Sequence, residues 1–249
     1  MRSLIIDEGN TLIKLLIVSS IGNIDKRCCV SELNVTIVKE FLLNERINSA
    51  IYCSVREKSG EVVEYLAENI KNFINFDHST ALPIKNSYST PQTVGLDRLA
   101  AAVGAAELFK EANILVIDFG SAITIDFVER GFGGEIATFR GGNISLGAAL
   151  RFKSLNAFTR KLPLCSLSDK ETSLTATSTK NAIESGVILG IVYEIDGYIR
   201  EYSEKYNDLK IIFTGGDAKY FGNKFKMTIF ADCEIVTKGL YKILCNAVG

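Results

Sequence analysis

The chain reads as an α/β protein whose second half repeats the order of its first. Two observations predict this. Apolar runs of strand length alternate with segments of helical period in both halves. A strand, a tight polar turn and a second strand occur twice, at Leu4-Ile5-Ile6-Asp7-Glu8-Gly9-Asn10-Thr11-Leu12-Ile13-Lys14 and at Ile114-Leu115-Val116-Ile117-Asp118-Phe119-Gly120-Ser121-Ala122-Ile123-Thr124-Ile125-Asp126. The length, 249 residues, suits two modest domains or one large one, and a boundary near 110–113 divides it into 1–112 and 113–249.

Overlaying the two hairpins puts Asp7 on Asp118 and Gly9 on Gly120. In each, a carboxylate closes an apolar strand, and a glycine two residues on lets the backbone turn without a Cβ in the way. Backbone N–H groups in such a turn, beside a carboxylate, suit phosphate oxygens and the metal that bridges them. Either copy alone reads equally as an ordinary hairpin, since Asp-x-Gly is a common turn signal. The repetition favours the phosphate reading.

In chain order, 3–7 and 11–18 form the first hairpin, and Cys28–Leu33 is a third strand. Apolar residues at 35, 37, 38, 41 and 42 give Val35–Leu43 a helical spacing. Ala50–Ser54 is a short strand, Val62–Ile70 a second helix and Phe73–Phe76 a strand. Ala81–Pro91 holds two of the three prolines and is read as a surface loop. Gly95–Phe109 is helical and rich in alanine, which permits close helix packing. Strands follow at 114–118, 122–128 and 133–138. A glycine-rich turn at 141–147 leads into a helix over 148–157. Ser166–Ser178 is polar and read as a loop. A long helix begins at Thr179, and Ile211–Phe213 is a strand running into Thr214-Gly215-Gly216-Asp217 and a short helix. A strand near 227–230 and a helix over 238–247 close the chain.

Composition excludes several classes of function. The chain is 47% apolar and 23% charged, ordinary for a folded domain. A net charge of −1 gives no electrostatic case for nucleic acid or an anionic membrane. Six cysteines without a Cys-x-x-Cys pair, and one histidine, argue against a zinc site. Cys28, Cys29, Cys53 and Cys245 lie in apolar runs, which predicts reduced core thiols. Met1-Arg2-Ser3 leads straight into a strand, so no signal peptide is expected, and no apolar run is long enough to span a bilayer. The expected location is the cytoplasm.

These motifs together resemble the type III pantothenate kinases, members of the superfamily of acetate kinase, sugar kinases, Hsp70 and actin. The resemblance runs through Asp7-x-Gly9-Asn10-Thr11-x-x-Lys14, Tyr88-x-x-Pro91-x-x-Val94-Gly95-x-Asp97-Arg98, Asp118-Phe119-Gly120-Ser121-Ala122-x-Thr124, Gly141-Gly142, Thr179 before Glu184-Ser185-Gly186, and Thr214-Gly215-Gly216. It implies two duplicated actin-like (ribonuclease H-like) domains, each a mixed sheet flanked by helices. It implies ATP-dependent phosphorylation of pantothenate to 4′-phosphopantothenate, the first step of coenzyme A biosynthesis. It also implies magnesium, a monovalent cation (potassium or ammonium) and a homodimer.

By the same resemblance, Asp7, Glu8, Gly9, Asn10, Thr11, Leu12, Ile13 and Lys14 form the first phosphate loop for ATP, with Asp7 orienting magnesium directly or through water. Asp97 is the base that takes the proton from the pantothenate hydroxyl. Tyr88, Gly95, Leu96, Arg98 and Thr179 bind pantothenate. Asp118 is the monovalent-cation aspartate, and Ser121, Gly215 and Gly216 contact ATP. Read without the resemblance, Asp97 caps a helix and Arg98 makes a surface pair, Thr179 is a plain N-cap, and Lys14 is a solvated strand lysine. A helix N-terminus and a neighbouring guanidinium both predict an ionised, weakly basic Asp97. The chain departs from the family at Ser121 and Ile123, where threonine is usual, at Leu146, where proline is usual, and at Glu8, often aliphatic. Glu8 either adds charge near the metal or faces solvent. Two other readings compete: a superfamily kinase for another hydroxylated acceptor, and a catalytically silent regulatory or binding relative, which would be expected to lack Asp7, Asp97 or Asp118.

Overall fold

Each half of the chain builds a sheet with one and the same strand order. The computed structural model describes residues 2–57, 59–131, 133, 135–169 and 171–248. Met1, on which the expectation of no signal peptide partly rests, lies outside them, as does residue 134 of the expected strand 133–138. The first sheet takes β1 (Arg2–Glu8), β2 (Ile13–Ser19), β3 (Ile24–Val30), β4 (Ser49–Ser54) and β5 (Asn72–Asn75) in the order β3-β2-β1-β4-β5. The second takes β7 (Asn113–Phe119), β8 (Ala122–Glu129), β9 (Thr138–Leu146), β10 (Leu209–Thr214) and β11 (Phe230–Ala231) in the order β9-β8-β7-β10-β11, and β6 (Lys85–Asn86) pairs with Thr138 and Phe139 of β9. Strands β1, β2 and β3 are antiparallel, while β1, β4 and β5 run parallel. β7, β10 and β11 are likewise parallel. The fold is α/β with two mixed sheets flanked by helices, as the sequence predicts.

Packing divides the chain into two compact units, Met1–Glu111 with Val128–Gly141 and Glu234–Gly249, and Ala112–Phe127 with Gly142–Cys233. The chain passes from the first unit to the second between Glu111 and Ala112, returns over 128–141, and its last helix joins the first unit. The reason lies in two glycines. Helix α3 (Leu96–Leu108) and helix α7 (Ile235–Val248) touch backbone to backbone, and a Cβ on Gly104 would overlap the Ile235 carbonyl, one on Gly239 the Ala100 carbonyl. The alanine run at 100–102 lies at this crossing.

In the first unit, α1 (Val35–Phe41) and α2 (Gly60–Asn69) cover one face of the sheet, burying Leu4, Ile6, Leu15, Tyr52, Val38 and Leu66 in one core. Helices α3 and α7 pack on strands of the same sheet. Asn34 caps α1, its side chain accepting the Ile37 N–H at 2.9 Å. In the second unit, α4 (Ala148–Ala157), α5 (Thr179–Lys205) and α6 (Ala218–Gly222) cover Leu115, Ile117, Phe119, Ile123 and Ile125.

Three expectations change. The third strand is Ile24–Val30 rather than Cys28–Leu33. The strand expected at 133–138 is Thr138–Leu146 instead, so the glycines at 141–142 lie within β9, not in a turn. Gly142 is there because a Cβ would overlap the Ile125 carbonyl, so the glycine marks close backbone approach inside a sheet. Of the thiols expected in the core, Cys53 is buried, but Cys29 and Cys245 are exposed. β3 is an edge strand whose residues alternate between faces, so its apolar run was a poor sign of burial.

Candidate active site

Strand β1 ends with two carboxylates, and the pleat sends them to opposite faces. Glu8 lies on the side of Leu4 and Ile6, where it is buried and accepts a hydrogen bond from the Tyr52 hydroxyl. It therefore neither faces solvent nor shares a face with Asp7. Asp7 is buried too, and Lys14 stands directly opposite it on β2 and so on the same face. Burial pushes the Asp7 carboxyl up to about 6; Lys14 pulls it down, and Asp97 and Glu234 push it further up. Asp7, Lys14, Asp97 and Glu234 thus share one electrostatic neighbourhood.

Between β1 and β2, the Gly9 N–H donates to the Leu12 carbonyl at 3.1 Å and closes a turn that leaves Asn10, Thr11 and Leu12 exposed. Ile13 is wholly buried in the core, so only its backbone is available to a ligand. Leu96 is buried as well, though not completely.

Asp97 opens α3 but does not cap it. Gly95 is the N-cap, and the Asp97 Oδ1 accepts the Arg98 backbone N–H at 2.8 Å. A Cβ on Gly95 would come within 2.5 Å of that Oδ1, which is the physical reason for a glycine two residues before the aspartate. Burial raises the Asp97 carboxyl, while the backbone bond and the Arg98 charge pull the other way. The net shift is upward, the reverse of the sequence expectation, because desolvation outweighs the helix terminus and the guanidinium. A raised carboxyl is a better proton acceptor.

Arg98 is not a surface residue. It is buried, its guanidinium 5.7 Å from the Tyr88 ring centre and 5.9 Å from that of Phe139. Those two rings stack at 6.1 Å. Gly141, at φ 97°, presses on Tyr88 so closely that a Cβ would stand 2.9 Å from its ring. Tyr88, Asp97 and Arg98 are therefore organised within the first unit.

In the second unit, Asp118 closes β7 with its Oδ1 packed against the Gly215 α-carbon. Gly215 adopts φ 92°, and a Cβ there would overlap both this carboxylate and the Phe119 carbonyl. The Asp217 N–H donates to the Phe119 carbonyl at 3.1 Å and the Gly147 N–H to the Ser121 carbonyl at 3.0 Å. Ser121 is exposed at the turn. Ile123 is fully in the core, so its side chain points away from that turn. Thr179 starts α5 but is not its cap: Ser178 is, accepting the Asn181 N–H at 3.3 Å. Thr179 instead lines a groove of about 580 Å³ with Arg151, Ser154, Leu155 and Ile183.

Four residues escaped the motif reading: Tyr52, Arg56, Phe139 and Glu234. Tyr52 leaves a trace only as parity, alternating with Cys53 on a strand; Phe139 falls one residue past the expected strand 133–138.

A family model described as type III pantothenate kinase matches residues 3–201. A protein of Azobacteroides pseudotrichonymphae named type III pantothenate kinase is 40% identical, covering 97% of this chain and 95% of its own. One of Phocaeicola vulgatus with the same name is 38% identical, covering 97% of each. The chain belongs to the type III pantothenate kinase family. Use of ATP, transfer to an alcohol group and a place in coenzyme A biosynthesis go with that membership. Among solved structures, a Campylobacter jejuni protein proposed to be a Baf family transcriptional activator is 26% identical, with a TM-score of 0.62 and 98% of each chain covered. Among the described residues, no helix is long and apolar enough to cross a membrane.

Proposed function

We propose that the chain transfers the γ-phosphoryl group of ATP to the pantothenate hydroxyl, with Asp97 as the base. The observation that carries this is the buried Asp97, fixed by the Arg98 N–H and electrostatically coupled to Asp7 at the head of the phosphate loop. As the hydroxyl oxygen attacks phosphorus, its proton passes to the Asp97 carboxylate, and ADP leaves. Arg98, its guanidinium against the Tyr88 and Phe139 rings, and Tyr88 hold the acceptor, with the Gly95 and Leu96 backbone beside them and Thr179 as a further contact. Asn10, Thr11 and Lys14 meet the phosphates; Ser121, Gly215 and Gly216 meet the rest of the nucleotide.

Magnesium suits Asp7. Burial, the largest cause, raises the Asp7 carboxyl to about 6 despite the opposing charge of Lys14, so a cation meeting this carboxylate would offset the cost of ionising it out of water. Among the described residues, no group of three or more His, Cys, Asp or Glu could hold a metal. Magnesium would therefore arrive with the nucleotide, neutralising phosphate charge while Asp7 orients it. Asp118 would orient potassium or ammonium. A homodimer, a cytoplasmic location and the division into duplicated domains at 1–112 and 113–249 complete the proposal; the shared strand order of the two sheets supports the last.

The test is purified protein with magnesium–ATP, potassium and a panel of hydroxylated acids and sugars, read by ADP release and product mass. The expected product is 4′-phosphopantothenate. Turnover of another acceptor in preference to pantothenate would overturn the reading, and ATP binding without any turnover would favour a silent regulatory relative.

A further inference from the structure

The end of β4 grips the phosphate loop at three levels. The Glu8 side chain, on the buried side of the sheet, accepts from the Tyr52 hydroxyl. The Glu8 carbonyl accepts the Val55 N–H at 3.1 Å. Two residues further on, the Asn10 carbonyl accepts from the Arg56 guanidinium. Arg56 is itself held by its own backbone N–H, which donates to the Ser54 Oγ at 3.0 Å.

The third contact has a directional consequence. Among the described residues no peptide bond is cis. In a trans peptide the C=O and N–H point opposite ways. Holding the Asn10 carbonyl toward Arg56 therefore aims the Thr11 N–H away from it. The loop is short and exposed, and without a brace its peptides would sample several orientations before meeting a phosphate.

We infer that Arg56 and Tyr52 are positioning residues that hold the 9–12 loop in the shape that receives ATP. Arg56 sets the Asn10–Thr11 peptide, and Tyr52 anchors the loop's root through Glu8. This rests on the proposed role of the loop in binding ATP. Preorganisation of this kind lowers the cost of binding rather than adding a contact to the ligand.

Three variants test it: Arg56→Gln, Arg56→Lys and Tyr52→Phe, each measured by calorimetry with magnesium–ATP and, separately, with pantothenate, alongside melting temperature. Arg56 is exposed, so its replacement leaves folding intact. The expected result is magnesium–ATP binding weakened about 5- to 20-fold in Arg56→Gln and Tyr52→Phe, the scale of one charge-assisted hydrogen bond. Pantothenate affinity should stay within about twofold, and Arg56→Lys should recover part of the loss. Magnesium–ATP affinity within twofold of wild type in Arg56→Gln would overturn the inference. So would a Tyr52→Phe protein that loses melting temperature and both affinities together, since Tyr52 would then only hold up the sheet. A wild type that binds no magnesium–ATP would instead defeat the functional reading beneath it.

Discussion

The hairpins at β1–β2 and β7–β8 follow one plan and are finished in different materials. In each, a parallel strand flanks the first: Asp7 lies opposite Cys53, and Asp118 opposite Thr214. In each, the glycine two residues past the aspartate donates across the turn at 3.1 Å, Gly9 to Leu12 and Gly120 to Ala122. The second turn, 120–121, is tied by backbone groups from Gly147 and Asp217 and needs bare α-carbons at 147 and 215 to let them in. The first, 9–12, is tied partly by side chains, Tyr52 and Arg56. A turn sealed by backbone announces itself as glycine. A turn braced by side chains depends on residues more than forty positions away, which no local pattern reveals.

The hairpins also differ in what packs round the carboxylate. Lys14, Asp97 and Glu234 act on Asp7, whereas the Asp118 Oδ1 lies where a Cβ on Gly215 would stand. The largest expected effect breaks this difference at its centre. Asp97→Asn removes the proton acceptor while keeping the shape, and kcat should fall about 10²–10⁴-fold with ATP binding nearly unchanged. A steady-state assay retaining more than about half the wild-type kcat would mean Asp97 is no base. Next comes the second hairpin's carboxylate. Activity should need potassium or ammonium, and Asp118→Ala should lose that dependence and most of the rate. Equal wild-type rates in potassium and sodium chloride at fixed ionic strength would remove the cation from Asp118.

The glycines sharpen the structural side of the comparison. Gly215→Ala places a Cβ into the Asp118 carboxylate and the Phe119 carbonyl at φ 92°, so it should cost roughly 2–4 kcal/mol in urea unfolding. Gly9→Ala meets only the Leu12 carbonyl, at 3.1 Å, and should cost about 1 kcal/mol or less. Equal costs would mean that the two turns are held alike after all.

The fold was legible because its signals are local. Strand length, helical period and the Asp-x-Gly repeat sit within a few residues, and the strands of both hairpins fall where those patterns put them, whereas β3 and β9 do not. The misreadings are tertiary in cause. Gly141 and Gly142 look like a turn but serve a tyrosine ring and a neighbouring strand. Thr179 looks like a cap, yet Ser178 one residue earlier takes the role. Asp97 sits where local electrostatics favours ionisation, and only the packing around it supplies the desolvation that wins.

A further difference between the hairpins is read by pH. In the folded chain, the Asp7 carboxyl titrates near 6, against an ordinary 3.8 when exposed. The protonated form is thus favoured by folding. Its contribution to stability is complete below about pH 4 and is lost as pH rises through 6, because above that the fold must hold a buried charge. Asp7→Asn removes this cost. In the absence of ligand, the variant should be more stable than wild type at pH 8, by at most about 3 kcal/mol and less with solvent relaxation. The gain should vanish near pH 4. Magnesium–ATP binding should move the other way: wild type should bind more tightly above pH 6, where Asp7 is ionised, while Asp7→Asn should bind weakly throughout and lose that pH dependence. Thermal unfolding across pH 4–8, with and without magnesium–ATP, reads both. A variant whose stability tracks wild type at every pH would show that Asp7 is not a strained charge, and with it would go the argument that the first hairpin is poised for a cation.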